Sequence, residues 1–214
     1  MVVVVAVVTL ILERQLVADF IKGRFYTPPP EMVAIRENLN LTWEGQLVFD
    51  ASQPEINNED EFNANCLSLD DRETILGCYK GQRIYVYRIK SDELNGILEL
   101  TTAHELLHAF YDRMSLGDRD KLKDLLEETY KSNQDAMKAE MELYGEGSFY
   151  EELYVRLGTE IKQLPDELEK QYGEELSQLG ITDKGDQRDV LQFLYQLAQI
   201  AADIIIENES KHPL

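Results

Sequence analysis

Thr101-Thr102-Ala103-His104-Glu105-Leu106-Leu107-His108-Ala109-Phe110 is the stretch around which the rest of the chain can be read. His104 and His108 are four residues apart, so on a helix both imidazoles project from one face. Neutral imidazole is a good zinc ligand. Glu105 is too close in sequence to His104 to be a comfortable further ligand. It stands over the metal's open position, where it can take a proton from a bound water whose pKa the metal lowers. The threonines before this pair and the apolar Leu106, Leu107, Ala109 and Phe110 suit a helix buried at an active site.

Upstream, residues 75–79 and 83–89 are rich in β-formers and flank Lys80-Gly81-Gln82, which predicts a hairpin. Residues 41–51 alternate in part (Leu41, Trp43, Leu47, Phe49) and read as a strand or hairpin. Residues 52–62 are polar and turn-rich, and residues 31–38 suit a short helix. Downstream, the caps Ser91-Asp92-Glu93 open a helix to Met114. Helices follow over 118–130 and 134–144, broken by Gly145-Glu146-Gly147. Ser148 caps a further helix over 149 to about 164, ended by Pro165. Residues 166–176 continue, and 186–207 form a long amphipathic helix. The expected class is α+β, with a small β-sheet or hairpins in the N-terminal part and a mostly helical C-terminal part.

Residues 1–22 form an apolar N-terminal segment whose core, residues 2–12, is uncharged. That core is shorter than the roughly 20 residues that span a bilayer, and extension to residue 21 takes in Glu13, Arg14 and Asp19. A signal or anchor segment, a buried strand and a buried helix are the three readings, and the first implies membrane association through residues 2–21. Residues 23–30, with Pro28-Pro29-Pro30, read as a stiff linker, leaving 31–214 as the globular domain. The 214-residue chain is 43% hydrophobic, enough for one sizeable core. Its formal charge of -20 repels phosphate backbones and argues against nucleic acid as a partner. Cys66 and Cys78 are spaced too widely for a zinc-binding cysteine pair. In an exported or membrane-anchored chain they form a disulfide; in a cytoplasmic one they are buried thiols.

Residues 101–110 resemble the zinc-binding helix of the zincin metallopeptidases. The resemblance implies a zincin-like active-site helix, Zn2+ bound by His104 and His108, Glu105 as general base, and a peptide or protein substrate. In that clan a strand before the helix pairs with the substrate backbone, which implies residues 83–89 as an edge strand. The metzincin pattern fails, because Tyr111 and Met114 stand where it has a glycine and a third histidine. His212, near the end of the sequence, is a poor third ligand, so the resemblance is to the gluzincins, whose third ligand is a downstream glutamate. Glu152 is the preferred match, with Glu160 as an alternative ligand or a residue orienting a histidine. Arg156 occupies a place where the family carries an acidic residue. Tyr144, Tyr150 and Tyr154 fall near the ligand helix, and none is assigned a catalytic role. Two functional readings result: a zinc-dependent peptidase, membrane-anchored or extracytoplasmic, or a non-catalytic zincin-like module that binds zinc or a partner at the membrane. A cytoplasmic location is the alternative.

Overall fold

The computed structural model describes residues 14–66, 75–89, 96–145, 147–161, 164–168, 170 and 172. The apolar run 2–12, the caps at 91–93 and the amphipathic stretch 186–207 lie outside the described residues.

Three helices open the fold: α1 (Arg14–Gly23), α2 (Pro30–Asn38) and α3 (Trp43–Ser52). Pro30 lies in the first turn of α2, where its missing N–H costs nothing. Residues 14–22, grouped above with the apolar segment, are part of the folded body. There α1 packs on α3, with Gly23 set against Asp50 and Ala51. Residues 41–51 are helical rather than a strand or hairpin. Leu41, Gly45, Val48, Phe49 and Ser52 are buried, a spacing of three and four that only a helix satisfies. Thr42 caps it, its Oγ1 accepting the Gly45 N–H at 2.8 Å. Trp43, counted in the apparent alternation, is 61% exposed.

A short strand β1 (Glu55–Asn57) follows, then helix α4 (Glu59–Cys66), within a span that composition marks as turn-rich. The expected hairpin is present as β2 (Gly77–Lys80) and β3 (Arg83–Tyr87). Gly81 and Gln82 both have φ near +60°, the geometry of a two-residue hairpin turn. The sheet order is β1-β3-β2, with β1 parallel and β2 antiparallel to β3. Strand β3 is therefore central, and the expected edge position for residues 83–89 is overturned by β1, a three-residue strand lying in the turn-rich span. Cys66 and Cys78 form a disulfide that joins α4 to β2.

The remaining elements are helices α5 (Ile97–Arg113), α6 (Leu116–Ser132), α7 (Gln134–Met141) and α8 (Phe149–Glu160). The last ends earlier than residue 164, because Ile161 is extended. Ser115 caps α6 by accepting the Asp118 N–H. The main core gathers Met32, Phe49, Leu106, Leu107, Leu126 and Leu153 between the helices and one face of the sheet. The class is α+β, mostly helical with one small mixed sheet. No described helix is long and apolar enough to cross a membrane.

Candidate metal centre

Helix α5 is buried on most sides, and its exceptions define the site. Leu100, Leu106 and Leu107 face the core, while the imidazoles of His104 and His108 lie side by side with ring centroids 5.3 Å apart. Helix α8 crosses close over this face. Its Gly158 is required there, because a Cβ would stand 2.8 Å from Leu107 Cδ1 and 2.9 Å from Tyr172 Cε1. The close crossing presents Glu151, Glu152, Arg156 and Thr159 to the two histidines.

Each histidine is oriented through Nδ1. Glu151 Oε1 lies 2.9 Å from His108 Nδ1. Thr159 Oγ1 lies 3.4 Å from His104 Nδ1, and its own hydroxyl hydrogen is given to the Val155 carbonyl at 2.9 Å, which leaves a lone pair for the ring. Both contacts favour a proton on Nδ1 and leave Nε2 as the free lone pair, the usual arrangement of a metal-binding histidine. His108 Nε2 is 3.6 Å from Glu152 Oε1. One donor atom from each of His104, His108 and Glu152 lies within 4.8 Å of the other two.

Burial and neighbouring charges set the protonation of the cluster. Burial, then the charges of His108 and Arg156, hold His104 well below the usual imidazole range, so it is neutral at pH 7. Burial would lower His108 as well, but the Glu151 hydrogen bond and the carboxylates around it outweigh that and raise it. Burial also raises Glu152, against the pull of His108 and Arg156. The Tyr144 hydroxyl hydrogen-bonds to Glu152, whose buried Oε2 has no hydrogen-bond partner among the described residues. Two neutral-capable imidazoles, a carboxylate and an unsatisfied buried oxygen fit a divalent ion with nitrogen and oxygen ligands.

Glu105 lies against the hairpin at Gly77 and is 6% exposed. Burial pushes its carboxyl up to about 7; His108 opposes this, Glu152 and Glu151 add to it, and the Tyr79 backbone N–H, which donates to the carboxylate, opposes it again. Gly77 lets β2 come this close. A Cβ there would stand 2.6 Å from Thr101 Cγ2 and 2.7 Å from Glu105 Oε1.

Of the residues singled out from sequence, His104, His108 and Glu152 come together, with Glu105 beside them. Glu160 is held apart by Arg156, whose Nη1 donates to Glu160 Oε1 at 2.8 Å. Arg156 is itself 8% exposed, with Nη2 3.1 Å from the Tyr144 hydroxyl and Nε 3.9 Å from Glu152 Oε2. Among the three tyrosines weighed, Tyr144 lies at the site. Tyr154 is packed between Tyr111 and Tyr172, and Tyr150 donates to Glu127. Sequence reasoning misses Glu151 and Thr159, although the adjacent pair Glu151-Glu152 is a usable signal. The Tyr79 amide carried none, since a backbone group has no residue-type signature. Scans of protein-family models, curated proteins and solved structures find no match to this chain.

Proposed function

We propose that this chain is a zinc-dependent peptidase whose metal is held by His104, His108 and Glu152. The observation that carries the reading is the convergence of those three donors beside a buried glutamate whose carboxyl stands at about 7. A zinc ion bound there supplies a water acidified towards neutrality. Glu151 and Thr159 fix the tautomers that leave both Nε2 atoms free. Glu105, poised near neutral pH, accepts a proton from the attacking water on its carboxylate and returns it to the leaving amine nitrogen. The hairpin above it limits bulk water, and the Tyr79 amide fixes the carboxylate's position.

A second reading, a zinc-binding module without turnover, is favoured by Arg156. A guanidinium 3.9 Å from Glu152 Oε2 competes with a cation for the same carboxylate. Zinc content and cleavage of a broad peptide library, compared between the wild type and Glu105→Gln, separate the two. Stoichiometric zinc in both, with cleavage lost only in the variant, is the expected result. Zinc in both with no cleavage in either favours the second reading. A protein that cannot be loaded with zinc sinks both.

A further inference from the structure

Helix α1 has the reverse of the usual surface polarity. Its inward positions are Asp19, bonded to Arg113, and Gly23, set against α3. Its exposed positions mix large apolar side chains with Arg14 and Gln15. Phe20 and Ile21 are 53% and 54% exposed, and Phe25, just beyond the helix end, is 79% exposed. At 100° per residue, exposed Ala18 and half-buried Val17 fall on the same arc. Exposed Arg14, in the first turn, and Arg24, just past the last residue of the helix, fall within the same arc. A surface helix of a globular protein turns its apolar stripe inward. A short helix with large apolar side chains outward, interleaved with basic ones, has the composition of helices that lie in a membrane interface.

Two further observations choose the occupant. Residues 2–12, outside the described residues, are uncharged and apolar in sequence, and only Glu13 separates them from α1. The chain thus enters α1 from a stretch that favours hydrocarbon over water. The whole chain carries a formal charge of -20, yet residues 14–24 hold Arg14, Lys22 and Arg24 against a single acid, Asp19. That acid is buried in its pair with Arg113. This local cationic surface complements anionic lipid headgroups, against the repulsion that the rest of the acidic chain feels from them.

We infer that the outward face of α1 docks in the plane of an anionic membrane surface. Phe20, Ile21 and Phe25 enter the headgroup–acyl boundary, and Arg14 and Arg24 sit among the phosphates. This contact is separate from any insertion of residues 2–12 and does not depend on the peptidase reading. Because Asp19 ties α1 to Arg113 at the end of α5, docking would also set the orientation of the metal centre to the bilayer.

The test uses the full chain with an environment-sensitive fluorophore on Phe25→Cys, on Ile21→Cys, or on Leu143→Cys, an exposed leucine elsewhere in the fold. Cys66 and Cys78 are joined to each other and leave the introduced thiol for labelling. Each labelled chain is mixed with phosphatidylglycerol–phosphatidylcholine vesicles carrying a shallow spin-labelled lipid. The expected result is a blue shift and quenching at positions 21 and 25 but not at 143. Replacing Arg14 and Arg24 by glutamine should weaken vesicle binding, by roughly fivefold for each positive charge removed. Four results would overturn the inference: no binding to the vesicles; binding with positions 21 and 25 unquenched; equal quenching at 143; or shielding of 21 and 25 in buffer by self-association.

Discussion

At its last turn α5 sets Arg113 against Asp19; earlier, it sets His104, Glu105 and His108 against Glu151 and Glu152. The first is buried and the second half-buried around a buried Glu105, and both join α5 to another helix. The first is complete. Arg113 gives Nε and Nη2 to the two oxygens of Asp19 at 2.9 and 2.8 Å, and Nη1 to the Ala109 carbonyl at 2.7 Å. The second is unbalanced: the carboxyls of Glu105 and Glu152 are pushed up, the His104 imidazole is pushed down, and Glu152 Oε2 has no hydrogen-bond partner among the described residues. A buried charge cluster that satisfies itself is architecture. One that leaves its members opposed is the candidate for binding or chemistry, and it is the one on which the proposed function rests. Tyr79 touches both, its amide at Glu105 and its hydroxyl between Arg113 and Asp112.

Cutting the complete cluster should cost most. Asp19→Ala or Arg113→Ala leaves an uncompensated buried charge, worth about 3–5 kcal/mol in chemical denaturation. The double replacement Asp19→Leu with Arg113→Met should recover most of that loss. Failure of the double variant to recover would mean that the pair does more than neutralise itself.

The unbalanced cluster should show itself in the pH dependence of the metal-free chain. Glu105 titrates near its ordinary 4.5 when unfolded and at about 7 when folded. Between those values the folded chain holds the extra proton, so this group's contribution to stability falls as pH rises from about 4.5 to 7 and is flat beyond. The full difference is on the order of 3 kcal/mol. Unfolding free energies of wild type and Glu105→Gln, both stripped of metal, should converge at pH 4 and separate in favour of the variant at pH 8. Parallel curves would show that Glu105 is not held in this state.

Gly77→Ala probes how the hairpin meets the second cluster. The new methyl strikes Thr101 and Glu105 and should cost about 1–3 kcal/mol. Catalytic loss should exceed what unfolding explains, because the displaced atom belongs to Glu105. Smallest is Glu151→Gln, which keeps the shape but weakens the orientation of His108. Zinc affinity in a chelator competition should fall about tenfold, and an unchanged affinity would remove Glu151 from the site.

The helix carrying His104 and His108 was legible because the i, i+4 spacing has a single geometric meaning on a helix. The hairpin was legible because Gly81 marks its turn. Residues 41–51 misled because Leu41, Trp43, Leu47 and Phe49 alternate, while the buried set is spaced by threes and fours and includes Gly45 and Ser52, which hydropathy does not flag. Strand β1 is too short for periodicity to register, and with it went the position of β3 in the sheet. At the site, Glu152 and Glu160 were both readable as carboxylates on one helix. Only the packing of Arg156 between them distinguishes their surroundings, and no spacing rule encodes that.

The disulfide has one more consequence. Cys78 lies between Gly77, which clears room for Glu105, and Tyr79, whose amide grips it. A slip of the hairpin by a single residue would push a side chain into Thr101 and turn the wrong peptide group towards the carboxylate. By fastening position 78 to Cys66, the covalent link acts as an alignment pin for the two neighbours of Cys78 that meet Glu105.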